Sequence, residues 1–195
     1  MPRLIDYKRR VLVAGALSAA AGLSPAHGAS FAQKATMPAD LNAMRPLIHV
    51  LKASMRPVCI DAAQELGAIG AHTQHFDLHL RGALLDAHDA KALAHALHVF
   101  AKQSALRLRS FSASYNPGIG DIAASALLAA LPSDLVELGL VGCCLTDRSG
   151  EEALHFMLRS TGLKVMCVED NDFSQTMKAR IEQAGLSLAG CLLVV

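Results

Sequence analysis

The sequence predicts an α/β fold, a short solenoid in which parallel strands alternate with helices. Apolar residues recur at the first, fourth and sixth places of three segments that begin at Leu108, Leu135 and Leu163, 27 and 28 residues apart. Asn or Cys stands at the ninth place of each segment. Apolar residues at helical spacing follow, so each unit contains a strand and a helix. Such self-similarity at a fixed period is typical of repeat proteins.

The chain begins with a segment of different composition. Basic residues at 8–10 precede a 13-residue apolar run at 11–23, and proline and small residues come next. This is the order of an export signal. The run is shorter than the ~20 residues of a membrane span, so the mature chain is expected to have no stable span. We predict an export signal at 1–32, a linker at 33–40 and a periplasmic or secreted location. The sequence leaves open a twin-arginine signal and an organelle presequence.

Residues 41–74 predict a helical N-terminal cap. Their apolar residues have helical spacing, and Pro57 suits the first turn of a second helix. Repeat proteins need atypical end units because the terminal apolar faces would otherwise be exposed. A weaker repeat copy follows, with Leu78 and Leu80 at strand positions and Ala83 at the Asn/Cys place. Its helix is expected to be longer than the others, because 33 residues separate Leu78 from Phe111.

The last ten residues, 186–195, are almost entirely apolar and uncharged. They predict a C-terminal cap strand after the repeats. An uncovered strand edge of this kind can pair with another chain. The sequence therefore predicts an edge through which the chain could self-associate.

The repeated segments resemble leucine-rich repeats, L-x-x-L-x-L-x-x-N/C-x-L. Their spacing and helical second half resemble the ribonuclease-inhibitor type, over about residues 75–185 and four copies. The Pro117-Gly118 insertion and Met166 in place of leucine depart from the pattern. The resemblance implies a concave sheet and convex helices. It also implies an interaction or scaffold module that binds another protein or peptide, of unknown identity, across the concave face. Fold alone does not fix function.

The alternation of side chains along a strand identifies the residues of that face. Leu138 and Leu140 point inward, so their neighbours point outward. At the ninth place, Asn116, Cys143 and Asn171 are expected to be buried, where side chains can satisfy the carbonyls of a turn. By the same parity the predicted partner-binding residues are Asp77, His79, Arg81, Ser110, Ser112, Ser114, Glu137, Gly139, Val141, Val165, Cys167 and Glu169.

Charge and cysteine spacing argue against several functions. Eighteen basic and 17 acidic side chains leave a formal charge of +1, so no field attracts nucleic acid, and no nucleic-acid partner is predicted. None of the five cysteines forms a C-x-x-C pair, so neither a zinc ribbon nor a redox motif is indicated. We predict no cofactor.

Two groups of residues invite an enzymatic interpretation. His72, His75, Asp77 and His79 are possible ligands, but strand neighbours two apart lie ~6.5 Å from each other, so solvated surface histidines are predicted and no metal site. Cys167 falls between inward residues and is expected to be exposed, as the thiol most open to reaction. No base is placed beside a cysteine, so no catalytic residues and no enzyme are predicted. An enzyme that uses Cys167 or the histidines is a less favoured alternative.

A second resemblance supports another alternative. The segment "ALLAALPSDL" at 126–135 is similar to the repeats of GALA-type leucine-rich effectors. Such effectors carry an F-box ahead of the repeats, to which residues 37–55 have only a faint likeness. A cleavable export signal argues against delivery by that route. A host-delivered adaptor or effector is therefore the alternative to an exported binding module.

Overall fold

The computed structural model describes residues 39–70 and 72–195, in which six helices and five strands occur. The helices are α1 Ala39–Ala53, α2 Pro57–Gly67, α3 Ala87–Gln103, α4 Gly120–Ala130, α5 Asp147–Arg159 and α6 Gln175–Leu186. The strands are β1 His75–His79, β2 Arg107–Ser112, β3 Glu137–Gly139, β4 Val165–Cys167 and β5 Leu192–Val194. The predicted export signal lies outside the described residues, as does the linker at 33–40 apart from its last two residues, which are helical.

The strands of the described residues form one parallel sheet in the order of the chain, β1-β2-β3-β4-β5. One of the helices α3 to α6 connects each strand to the next. The predicted α/β fold with parallel strands alternating with helices is confirmed. Sequential order with a helical crossover at every step is compatible with a solenoid-like arrangement.

One apolar residue from each of the strands β1 to β4 forms a continuous row across the sheet. Leu78 pairs with Phe111, Phe111 with Leu138, and Leu138 with Met166. All four side chains are buried, as the spacing predicts. Met166 replaces the expected leucine without interrupting the row, because its unbranched side chain adapts to the available space.

The helices pack side by side behind the sheet. Helix α3 contacts α4, α4 contacts α5, and α5 contacts α6. At the N-terminal end α1 contacts both α3 and α2, within the segment predicted as a helical cap. Pro57 is the first residue of α2, where its missing N–H leaves no hydrogen bond unmade. Helix α3 has 17 residues against 11 in α4, as the longer first repeat predicts.

Asparagines at the ninth place join the turns of neighbouring units. Asn116 is buried as predicted, whereas the burial predicted for Asn171 is wrong, because Asn171 is only half-buried near the end of the array. The Asn116 amide donates to the carbonyls of Leu80 at 2.8 Å and Ala113 at 2.7 Å, and its Oδ1 accepts from the N–H of Leu85 at 2.9 Å. Asn171 makes the equivalent bonds to the unit before it, to the carbonyl of Leu140 at 2.8 Å and from the N–H of Leu145 at 3.1 Å. It also accepts a bond from the N–H of Cys143 at 2.9 Å. Where the chain leaves a strand, the asparagine of the following unit therefore provides hydrogen-bond partners for the backbone carbonyl and N–H groups.

On the helical side, aspartates join neighbouring units in the other direction. Asp121 in the first turn of α4 accepts hydrogen bonds from the backbone N–H of Thr146 at 2.8 Å and from its hydroxyl at 2.6 Å, and Thr146 is the N-cap of α5. Asp147 in the first turn of α5 accepts the same pair from Ser174, the N-cap of α6, at 2.7 and 2.6 Å. Each carboxylate thus fixes the start of the next helix.

We expect these aspartates to make the protein unstable in acid. Hydrogen bonds from Ser174 hold the pKa of Asp147 below its ordinary value of 3.8. Burial acts to raise the pKa of Asp121, but hydrogen bonds from Ser149 and Thr146 outweigh it and lower that pKa too. Folding therefore lowers proton affinity, so the stabilisation is present above the ordinary pKa and is lost as the pH falls through the lowered values.

Urea unfolding at about pH 7 and about pH 3 measures this effect. The Asp147→Asn variant keeps an acceptor oxygen but cannot titrate. It should therefore lose less stability between the two pH values than the natural chain. An identical loss in the variant would contradict the role of Asp147.

Candidate binding face

We define the inner face as the twelve outward residues predicted above, all of which the structure describes. Eight of them lie in the strands, and Arg81, Ser114, Val141 and Glu169 each lie two residues beyond the end of a strand. Eight of the twelve are exposed or half-buried: Asp77, His79, Arg81, Ser112, Glu137, Gly139, Val165 and Glu169. Most of these eight carry polar or charged side chains. The accessible part of the face is therefore polar.

The other four residues are buried, so their predicted exposure is wrong. The exposed fractions are 3% for Ser110, 2% for Ser114, 4% for Val141 and 8% for Cys167. Parallel strands lie only ~4.8 Å apart, so small side chains on this face are covered by larger neighbours. The Ser114 hydroxyl also accepts a hydrogen bond from the N–H of Val141 at 3.1 Å, which holds the two strands together.

Cys167 is not the reactive thiol that the sequence predicts. Burial raises the pKa of Cys167 to about 11, and the carboxylates of Glu169 and Glu137 act in the same direction. The nucleophilic form of a cysteine is the thiolate, which this environment disfavours. Cys144, by contrast, is exposed.

Thiol labelling is therefore expected to modify Cys144 first and to leave Cys167 unmodified. A pKa of about 11 in place of the ordinary 9.0 lowers the thiolate fraction of Cys167 about a hundredfold near neutral pH, before its burial is considered. Mass spectrometry of the peptides after timed iodoacetamide treatment measures both rates. Equal rates for the two cysteines would show that Cys167 is accessible.

A chain of hydrogen bonds crosses three strands of the inner face. The Ser110 hydroxyl donates to Glu137 Oε2 at 2.9 Å, and its oxygen lies 2.8 Å from His79 Nε2. Because the serine proton is directed to Glu137, His79 Nε2 is assigned as the donor of the second bond. In a serine nucleophile the imidazole must instead accept the hydroxyl proton. The three residues therefore position one another and do not form a catalytic triad.

An ion pair that the sequence did not predict lies beside these hydrogen bonds. Arg109 donates to both carboxylate oxygens of Asp77, with Nε at 3.0 Å from Oδ1 and Nη2 at 2.5 Å from Oδ2. The bond from Arg109 lowers the pKa of Asp77 against the effect of burial. The pairing register of β1 and β2 shifts between Phe76 and Asp77, so Arg109 lies outward next to Ser110. The three-residue spacing from Leu108 to Phe111 is the signal that could have revealed two outward residues in succession.

A second cluster lies where the strands end. The Arg81 guanidinium stacks over the ring of Tyr115, 3.9 Å from its centroid, and Tyr115 is 40% exposed. Tyr115 has a φ of 59°, in the left-handed region where Gly82 and Gly142 lie at the same place in their own units. A Cβ at Gly142 would lie 3.3 Å from the tyrosine ring. The alternation of side chains along a strand did not identify Tyr115, because this alternation ends where the strand ends.

Glu169 completes this cluster. Burial raises the pKa of Glu169, with the charge of Asp170 acting in the same direction and that of Arg81 against it. Its Oε2 is buried and has no hydrogen-bond partner among the described residues. The end of the face thus combines a stacked cation and aromatic ring with a carboxylate that has an unused acceptor.

The histidine cluster is not brought together as a metal site. Within the part of the chain that the structure describes, no group of three His, Cys, Asp or Glu residues is placed to hold a metal ion. His75, Asp77 and His79 follow one another along β1, and His79 is bonded to Ser110.

The described helices include none long and apolar enough to cross a membrane.

Comparison with known proteins adds no relative. No protein-family model matches the chain, and no curated protein is significantly similar to it. The inner face is therefore the feature of the protein that indicates a function. Its fixed polar groups, stacked aromatic ring and partly used carboxylate can bind a partner by hydrogen bonds and charge.

Proposed function

We propose that the chain is a short leucine-rich-repeat solenoid of the ribonuclease-inhibitor type, and that its inner face binds another protein or peptide. The repeat type is supported by the asparagines at the ninth place. Asn116 and Asn171 each bond the turn of the preceding unit, as the repeated motif requires of a polar residue at this place. The sequential parallel strands and the helix behind each of them agree with this assignment.

The observation that carries the binding role is the preorganised polar surface of the inner face. The bonds of Ser110 hold His79 and Glu137 in place, and the stacked Arg81 holds Tyr115. Side chains that are already ordered lose little conformational entropy when a partner binds. Tyrosine and arginine are also the residue types that contribute most to protein interfaces.

Charge reversal at Arg81 tests this role directly. The natural chain and an Arg81→Glu variant are used to capture partners from the native cell envelope, and mass spectrometry identifies the retained proteins. The matched control is Arg148→Glu, at an exposed position in α5 on the helical side. A partner retained by the natural chain and the control, but lost by Arg81→Glu, supports the proposal. Partners that all three retain equally would refute a binding role for this face.

Substitution at Gly139 is less suitable for this test. A Cβ at Gly139 would lie 2.9 Å from the Ser112 hydroxyl and 3.0 Å from that of Ser114. An arginine there would disturb the sheet as well as the surface. Arg81 is exposed, so its replacement reverses the charge and removes the stack on Tyr115 without a steric clash inside the sheet.

We also propose that the protein is exported and works in the periplasm or outside the cell. The support is the basic, apolar and small-residue order of 1–32. Mass spectrometry of the N-terminal peptide from native material should find Ala29 or Gln33 first, after cleavage behind Gly28 or Ala32. An N-terminus that retains the export segment would favour the host-delivered adaptor instead.

A further inference from the structure

A cavity of about 320 Å³ lies at the end of the sheet where strand β2 begins. The last turns of α3, the start of β2 and the loop after α4 enclose it, and it shares no residue with the inner face. Its deep wall consists of Leu97, Phe100, Leu106 and Leu108, each no more than 6% exposed. Its volume lies within the range of small-molecule sites, which begins at about 300 Å³.

The unequal lengths of two adjacent helices account for the cavity. Helix α3 has 17 residues and its neighbour α4 has 11, so the last turns of α3 extend past the end of α4. Leu97 and Phe100 on those turns line the cavity, and Ala130 at the end of α4 lines it with them. Pro132, which follows α4, lines the other wall.

Contacts outside the cavity hold its walls in place. The ring of Phe100 packs edge-on against Phe76, with ring centroids 5.2 Å apart. Arg159 donates to the carbonyls of Leu128 at 2.5 Å and Leu131 at 3.0 Å, which fixes the end of α4. The walls are thus formed before any ligand binds, and a preformed site reduces the cost of binding.

The lining defines the chemistry of a ligand. At ~30 Å³ for each water-sized group, the volume accommodates about ten non-hydrogen atoms. The two charged groups in the lining, Arg107 and Asp134, form an ion pair with each other. A charged group of the ligand would compete with one member of that pair for its partner, and the apolar wall provides no charge in compensation. An uncharged polar group can accept from Arg107 or donate to Asp134 while the pair remains.

We propose that this cavity binds a small uncharged molecule, largely apolar, of about ten non-hydrogen atoms, with one hydrogen-bonding group directed at the Arg107–Asp134 pair. An aliphatic alcohol of eight carbons has this size and polarity. Its chain would contact Leu97 and Phe100, and its hydroxyl would lie at the ion pair.

Calorimetric titration of the full chain with 1-octanol, octanoate and octylammonium tests the proposal. The alcohol should bind with a dissociation constant on the order of 100 µM, and the two ions at least about tenfold more weakly. Failure of the natural chain to bind 1-octanol would overturn the site. Equal binding of the ions would overturn the assignment of an uncharged ligand.

Two leucine substitutions on α4 provide the matched variants. Ala130 lines the cavity, so Ala130→Leu should fill part of it and weaken 1-octanol binding at least about tenfold. Ala129 is exposed and lies outside the lining, so Ala129→Leu should bind as the natural chain does. Equal binding by both variants would overturn the location. If circular dichroism shows that Ala130→Leu is unfolded, Ala101→Phe fills the cavity from α3 and is judged by the same criterion.

Discussion

Replacement of Asn116 by alanine is expected to lower the free energy of unfolding by about 4 kcal/mol. The side chain is fully buried, and its amide bonds the carbonyls of Leu80 and Ala113 and the N–H of Leu85. Alanine removes all three bonds and leaves these buried backbone groups without that partner. A buried backbone group without a partner costs about 1–3 kcal/mol. Urea unfolding followed by circular dichroism measures the loss.

The matched control is Cys143→Ala, at the same place in the next unit. The Cys143 thiol is equally buried and makes only weak hydrogen bonds, to the carbonyls of Ala113 at 3.3 Å and Val141 at 3.4 Å. Its removal should cost about 1.5 kcal/mol, mainly through lost packing. Equal losses in the two variants would show that volume at this place matters and that the asparagine bonds do not.

Gly162→Ala is expected to cost about 2–3 kcal/mol. Gly162 lies between α5 and β4, and a Cβ there would lie 2.7 Å from the carbonyl oxygen of Asp134 and 3.1 Å from its carbonyl carbon. These are backbone atoms, so no side-chain rotation relieves the contact. The adjacent hydrogen bond from Thr161 N–H to the Ser133 carbonyl, at 2.7 Å, prevents the two segments from separating freely.

Gly67→Ala provides a control of opposite sign for the same chemical change. Gly67 is the last residue of α2, and a Cβ there would have no atom within 4 Å. Alanine reduces the conformational freedom of the unfolded chain, so this variant should gain up to about 1 kcal/mol. The midpoint temperatures of thermal unfolding should therefore shift in opposite directions, downward for Gly162→Ala and upward for Gly67→Ala. A loss at Gly67 similar to that at Gly162 would contradict the steric explanation.

The positions of the strands and helices could be predicted because the same pattern of apolar residues occurs several times in the sequence. In the segment from Leu135, the apolar residues at places one, four and six agree only with a bend into a short strand, and the same places recur in the neighbouring segments. The buried row from Leu78 to Met166 follows from this repetition. The length of α3 was also visible, because it appears as extra residues between two strands.

The inner face was less predictable because parity gives the side of a residue and not its accessibility. Cys167 points to the predicted side but is covered there, beside the carboxylates of Glu137 and Glu169. Arg109 and Tyr115 were missed for backbone reasons, the first at a shift in strand register and the second in a left-handed conformation beyond the strand. The positions of both side chains depend on contacts between units, and the motif of a single repeat contains no information about such contacts.

The two sets of bonds between units run in opposite directions along the chain. Asn116 supports the unit before it, whereas Asp121 supports the unit after it through Thr146. If an end unit frays, its neighbour therefore loses either the bonds that close its turn or the cap that starts its helix. Fraying at either terminus would spread inward, and an intermediate with only some units folded would be poorly populated. A protein assembled from local modules is thereby expected to unfold in a single cooperative transition.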